Sequence, residues 1–157
     1  MLGASLRCCL CILGLAASAW AADTPRVEIR DREIWVTRDG VPTQLTDDGI
    51  LKTGAILSNA ADRIAYYEEC PEDAGCVPSV VILDLHGNLL RKFEPVIAAS
   101  GAGGHCVSIL GISWTASDAG IGLECHLNPS LSEYVEFDLK SGKYTHDLLG
   151  FGFTAFV

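Results

Sequence analysis

The sequence predicts an all-β fold with little helix, and three observations support this prediction. Short runs of β-branched and aromatic residues, such as Ile34–Val36 and Val81–Leu85, alternate with Asp-Gly, Ser-Asn and Ser-Gly turn signals. No segment sustains the 3.6-residue apolar period of a long helix. The chain also resembles itself at a fixed spacing, which indicates that the strands are organised as repeats.

Two long copies and one partial copy of the repeat are present. Residues 54–66 match residues 111–123 at an offset of 57, and Val81–Gly87 matches Val135–Gly142 with Asp84 and Asp138 offset by 54. The difference of three residues falls in the loop that contains Cys70 and Cys76 in the first copy. An earlier partial copy runs from Ile34–Val36 through Asp39-Gly40 to Thr43–Thr46. The chain therefore contains about two and a half repeats.

The first 22 residues have the pattern of an export signal, so we do not count them as part of the folded domain. A short start containing Arg7 precedes the 13 apolar residues Cys8–Trp20, and Ala19-Trp20-Ala21 has the small-x-small pattern of a cleavage site. Thirteen residues are too few for a helix to cross roughly 30 Å of hydrocarbon. We expect cleavage after Ala21 or Ala22, no membrane insertion afterwards, and one β-repeat domain over residues 23–157.

The mature chain is acidic. Without residues 1–22 it keeps 10 Lys and Arg against 20 Asp and Glu, a net charge of −10 with His neutral. Such a charge disfavours nucleic acid and anionic lipid as partners and would steer a basic protein toward the chain. The same charge also keeps an exported protein in solution.

Four cysteines remain after cleavage: Cys70, Cys76, Cys106 and Cys125. An even number in an oxidising compartment indicates two disulfides, for which three connectivities are possible. Cys70 and Cys76 flank a turn-rich segment that a local bridge would close, so we pair them with each other and Cys106 with Cys125.

The length of the repeat, with four short strands in each copy, is that of a propeller blade. Moreover, the runs Thr43–Gly49, Asp62–Tyr66 and Ile82–Gly87 resemble the repeats of periplasmic Tol-type β-propellers. The resemblance covers most of residues 34–93 and, more weakly, residues 107–148. It implies an incomplete, about three-bladed β-propeller-like fold. To complete the third sheet, the terminal run Phe151–Val157 would pair with the N-terminal hairpin, or the chain would dimerise through its open edges. We favour the first.

Motifs of catalysis are absent from the sequence. It contains no nucleophile elbow, P-loop, dinucleotide fingerprint or paired-histidine metal helix, so we expect neither an enzyme nor a cofactor. His105-Cys106 and Cys125-His126 are the nearest approach to a metal site, but adjacent residues on a strand point to opposite faces. We therefore interpret them as a disulfide flanked by exposed histidines. The carboxylates of Glu68, Glu69, Glu72 and Asp73 are interpreted as a solvated loop, with calcium left open.

One segment between the two full repeats suggests a binding role. The glycine-rich loop, Ala98–Gly104, is small and uncharged, so it could enter a narrow cleft and present Ser100 and backbone groups there. Its alternative interpretation is a slack connection between blades.

An exported, acidic, disulfide-bearing chain with incomplete blades and this loop resembles the periplasmic immunity proteins of type VI secretion that neutralise a cysteine-histidine peptidoglycan amidase. The resemblance implies a periplasmic inhibitor whose loop blocks the substrate groove of the amidase. It assigns that role to Ser100, Gly101, Ala102, Gly103 and Gly104, and Ser117 in the Thr115–Ala119 turn stays an alternative. A scaffolding or envelope-assembly module, similar to the Tol-type propellers, is the competing hypothesis.

Overall fold

Over the residues described, the chain forms thirteen β-strands and no helix. The structure is a computed structural model that describes residues 24–71, 75–98, 104–106, 108–128 and 131–149, with the backbone alone for 128, 131 and 147–149. The strands are β1 (Arg26–Arg30), β2 (Glu33–Arg38), β3 (Val41–Gln44), β4 (Lys52–Leu57), β5 (Arg63–Glu68), β6 (Ser79–Asp84), β7 (Leu89–Phe93), β8 (Val96–Ile97), β9 (Gly104–His105), β10 (Ile109–Trp114), β11 (Gly120–Asn128), β12 (Leu131–Asp138) and β13 (Tyr144–Leu149).

These strands form three antiparallel meanders and one small hairpin. Sheet I has the order β1-β2-β3, sheet II the order β4-β5-β6-β7, and sheet III the order β10-β11-β12-β13. The hairpin consists of β8 and β9 and lies between sheets II and III in the chain. Each meander corresponds to one predicted repeat. The all-β prediction is confirmed.

Sheet II lies between the other two sheets. Ile64 and Tyr66 of β5 pack with Ile34 and Val36 of sheet I, while the alternate β5 residues join a second core that contains Leu123 and Val135 of sheet III. Because both faces of sheet II are covered, its strands β5 and β6 are buried almost without alternation. Face-to-face stacking of successive small sheets is the arrangement of propeller blades.

Equivalent turns confirm the repeat spacing. Ala61 and Asp118, which are 57 residues apart, both adopt a left-handed backbone, with φ of 54° and 55°. Asp84 and Asp138 each accept a backbone N–H in the turn that follows, from His86 and Ser141. The repeats therefore conserve local backbone geometry, not just composition.

Sheet I contains one strand that the sequence did not predict. β1 precedes the partial repeat and pairs with β2 from Arg26↔Thr37 to Arg30↔Glu33. The N-terminal part of the chain thus supplies three strands to its sheet, where the sequence analysis expected a half-repeat that only the C-terminus could complete. The predicted partner, Phe151–Val157, lies outside the described residues, as does the predicted export signal in residues 1–22.

Candidate functional site: the loop end of the sheets

The two ends of the stacked sheets differ in construction. At one end β4 turns into β5 and β10 turns into β11, and we call this the turn end. The two turns touch, because the backbone N–H groups of Asn59 and Ala60 donate to the Asp118 carboxylate at 2.8 Å. At the opposite end β4 and β10 begin, and we call it the loop end. Both disulfides lie there, together with Ala98 and Gly104, the two described ends of the glycine-rich loop.

The hairpin of β8 and β9 contains the two described ends of the glycine-rich loop. Val96 pairs with His105 and Ile97 with Gly104, so the residues on either side of the loop are held together by strand pairing. Just outside this pair, the N–H of Cys106 donates to the carbonyl of Pro95 at 2.9 Å. Because Ile97 is buried in the core shared by sheets II and III, the base of the hairpin is fixed to both sheets.

A disulfide ties the second half of the hairpin to sheet III. Cys106 bonds to Cys125 of β11 with a Cα–Cα distance of 5.5 Å, and both residues are fully buried. Cys125 pairs directly with Ile109 at the start of β10. The bridge therefore ties the residue that follows β9 to β11. The sequence predicted this pairing.

A buried carboxylate holds the first half of the hairpin. Glu133 of β12 is 0% exposed, and its Oε1 accepts the N–H of Ala98 at 2.8 Å. The same oxygen lies 2.7 Å from Nδ1 of His146 on β13. A carboxylate is an acceptor, so the imidazole donates through Nδ1–H. The last residue before the undescribed part of the loop is thus bonded to the centre of sheet III.

Aromatic rings pack below the same region. Phe93 stacks on Phe137 with ring centroids 3.9 Å apart, and Tyr144 lies 4.9 Å from Phe137. The Tyr144 hydroxyl donates to the carbonyl of Glu94 at 2.9 Å, which fixes the entry to β8. Burial raises the pKa of Tyr144 above its usual value, so the phenol keeps the proton that it donates.

Of the predicted loop residues, the structure describes one. Gly104 lies in β9, and Ser100, Gly101, Ala102 and Gly103 lie outside the described residues. Ser117, the alternative, is exposed in the turn next to Asp118 and hence at the turn end. Ser117 is thus at the end of the molecule opposite to Ala98 and Gly104, the described residues on either side of the Ser100 segment.

The other disulfide also lies at the loop end, between β5 and β6. Cys70 bonds to Cys76 with a Cα–Cα distance of 5.6 Å, as the sequence predicted. Beside it, an apolar depression of about 370 Å³ is lined by Arg32, Gly49, Ile50, Leu51, Glu69, Cys70 and Pro71. Ile50 and Leu51 are 39% and 45% exposed. This part of the loop end offers apolar surface to a partner.

Glu33 of β2 organises the loop end of sheet I. Its carboxylate accepts hydrogen bonds from Thr46 and from the N–H of Gly49 and pairs with the buried Lys52 at 3.1 Å. Burial by itself would raise the pKa of Glu33, but these three donors outweigh it and lower the pKa to about 2. Asp48 is a second partner of Lys52.

Two sequence interpretations change at this end. Glu68 was assigned to a solvated acidic loop, but it ends β5, is 8% exposed and bonds to Lys92 and Ser79. Its register opposite Ser79 directs it inward. His126 is half-buried, whereas His105 is exposed as expected.

Among the residues that the structure describes, no three His, Cys, Asp or Glu side chains converge to hold a metal ion. In the same ranges, no helix is long and apolar enough to cross a membrane.

Sequence reasoning missed Glu133 and His146, which tether the loop. A signal was present: Glu133, Val135 and Phe137 alternate along β12, and the period of two assigns the glutamate to the apolar face. A charge on a buried face marks a specific hydrogen-bond partner.

No protein-family model matches the chain, and no curated protein matches it. Among solved structures, it is similar to the crystal structure of TolB from Acinetobacter baumannii, with a TM-score of 0.50 and 12% sequence identity. The match covers 78% of this chain and 29% of the TolB chain, so the chain spans less than a third of that protein. At this identity the likeness is one of fold, and it agrees with the Tol-type repeats seen in the sequence.

Proposed function

We propose that the protein is a periplasmic immunity protein that binds a secreted cysteine peptidoglycan amidase and occludes its active site with the glycine-rich loop. The observation that carries the proposal is the construction of the loop base. Strand pairing holds Gly104, a buried carboxylate holds Ala98, and a disulfide holds Cys106, two residues after Gly104. A slack connection between blades would need none of these.

A fixed base favours tight binding. A loop that is ordered before association loses less conformational entropy when it binds, so more of the contact energy appears as affinity. The small side chains of residues 98–104 allow the backbone to approach the walls of a narrow cleft closely. Inhibition without turnover follows if the loop fills the substrate groove.

Neighbouring surface would supply the rest of the contact. A specific interface buries about 1,200–2,000 Å² in total, more than one loop provides. The exposed Ile50 and Leu51 lie at the same end as the loop and add apolar area. The net charge of the mature chain favours a basic amidase surface.

Location follows from the cysteines and the export signal. The structure contains two disulfides, which are typical of proteins in oxidising compartments. Together with the signal-like residues 1–22, they support the periplasm, the compartment that also contains the cell wall.

The test is turnover of purified peptidoglycan by a secreted cysteine peptidoglycan amidase, with and without this protein. Gly101→Trp should abolish inhibition, because an indole at the loop tip clashes in a cleft fitted to glycine. Ser100→Ala should weaken binding about tenfold or less, the effect of one neutral hydrogen bond. Ser117→Trp, at the turn end, is the matched control and should inhibit normally. Equal inhibition by the Gly101→Trp and wild-type proteins would remove the loop from the interface.

A scaffolding or envelope-assembly module is the second candidate. The fold that the chain shares with TolB favours it, as do Leu89 and Leu90, which are 61% and 50% exposed on β7, the last strand of sheet II. A pull-down from periplasmic extract separates the two functions. The inhibitor should retain one partner at equal stoichiometry through salt washes, whereas a scaffold should retain several partners weakly.

A further inference from the structure

We infer that Glu133, supported by His146, is the positioning residue of the inhibitory loop. This inference rests on the proposed function. The carboxylate does not itself contact the partner; it fixes the backbone at Ala98, from which the loop departs.

Burying the Glu133 carboxylate costs free energy, because the charge loses its hydration. Glu133 is fully buried on the same face of β12 as Val135 and Phe137. An apolar residue at this position would pack without the cost of removing a charge from water. A buried charge is tolerated when hydrogen bonds compensate it. Here the donors that reach Oε1 are a loop-entry N–H and an imidazole N–H. The carboxylate therefore connects the loop to the sheet in a way that a core residue would not.

Different interactions anchor the two sides of the loop. On the outgoing side, the disulfide of Cys106 fixes the chain covalently. On the incoming side, Ala98 follows directly after the short strand β8, which has two residues and little pairing of its own. The Ala98–Glu133 hydrogen bond extends that anchoring by one residue. Both sides of the loop are then tied to sheet III, one through β11 and the other through β12.

His146 supports Glu133 from the neighbouring strand, β13. Its ring lies against Tyr144 with centroids 6.1 Å apart, and its side chain is 27% exposed. A half-exposed imidazole can orient the carboxylate without taking part in the core. Replacing it with phenylalanine keeps the ring and removes the donor, so His146→Phe weakens the positioning without opening a cavity.

The experiment compares variants of two buried carboxylates, Glu133 at the loop end and Asp118 at the turn end. Glu133→Leu should reduce amidase inhibition about tenfold or more, as expected for loss of one charge-assisted hydrogen bond that positions the loop. Glu133→Gln keeps an acceptor for Ala98 and should retain inhibition within about threefold. Asp118→Asn is the control, because Asp118 is also buried but bonds to Asn59 and Ala60 at the turn end instead of to the loop. It should lower stability and leave inhibition by the folded fraction unchanged.

Residue-resolved amide hydrogen exchange supplies a readout that needs no amidase. The Ala98 N–H should exchange about tenfold faster in Glu133→Leu and in His146→Phe, while the amides of β11 and β12 keep their protection. Unchanged exchange at Ala98 in both variants would overturn the inference. If Glu133→Leu does not fold, His146→Phe carries the same test.

A double-mutant cycle with Ser100→Ala completes the test. If Glu133 acts through the loop, Ser100→Ala should weaken inhibition less in the Glu133→Leu background than in the wild-type protein. Additive effects would overturn the positioning role. Failure of the wild-type protein to inhibit would instead refute the proposed function, and the exchange measurement would still decide whether Glu133 fixes Ala98.

Discussion

The turn end and the loop end of the same three sheets differ in how their connections are built. At the turn end, the hairpin turns repeat at the spacing of 57, and Asp118 of one turn accepts the N–H groups of the other. At the loop end, the connections vary in length and are held by disulfides and by the buried Glu33 and Glu133. The difference teaches that contacts between neighbouring sheets are maintained at the repeated end, which leaves the connections at the other end free to vary.

The largest expected effect is at the loop end. Replacing Cys106 and Cys125 with alanine together should lower the free energy of unfolding by about 3 kcal/mol, since the bridge closes a segment with a sequence separation of 19. Inhibition should fall as well, because the hairpin loses its covalent tie. Urea unfolding and an amidase assay of the same sample measure both.

The matched control removes Cys70 and Cys76, which are separated by 6 residues. That bridge should contribute less, about 2 kcal/mol, because it restricts a shorter loop of the unfolded chain. A greater loss from this pair than from Cys106 and Cys125 would contradict the comparison.

A smaller effect, on stability alone, is expected at the turn end. Asp118→Ala should cost about 2–3 kcal/mol, because the N–H groups of Asn59 and Ala60 lose their acceptor and the left-handed φ of 55° disfavours alanine. Inhibition by the folded protein should be unchanged. Thermal melting and amidase turnover check the two halves of this prediction.

Asp118→Asn is the control at this position. Asparagine tolerates the left-handed backbone and keeps one oxygen acceptor, so it should retain more of the stability than alanine. An inhibition defect in either variant, at temperatures where the protein is folded, would show that the two ends are coupled.

A further effect on stability appears in acid. The pKa of Glu33 is lowered from 4.5 to about 2 in the folded protein, so the folded state favours the carboxylate. Its stabilising contribution is complete above about pH 5 and is lost as the pH falls toward 2, because the unfolded chain takes up the proton first. Glu33→Gln should be less stable at neutral pH and should lose less of its remaining stability over this range. Urea midpoints between pH 6 and pH 3 measure the slope, and parallel slopes for both proteins would contradict the assignment.

Much of the architecture could be predicted because it is written in local patterns. Alternating apolar residues and Asp-Gly or Ser-Gly turns predicted the strands, and the offsets of 57 and 54 predicted the equivalent sheets. Export-like residues and an even number of cysteines predicted the disulfides, and the turn-rich segment between Cys70 and Cys76 predicted their pairing. Such signals depend on neighbours in the chain, so one sequence is enough to read them.

The site depended on contacts between distant segments, which no local pattern specifies. Ala98 meets Glu133 across 35 residues, and Glu33 meets Lys52 across 19. Whether a glutamate faces water or an N–H group is decided when the sheets stack and the face of β12 is covered. By itself, the sequence determined the strands, the repeat and the chemistry of the loop. Tertiary packing decided at which end Ala98 and Gly104 lie and what holds them, because burial turns a charged side chain into a specific hydrogen-bond partner.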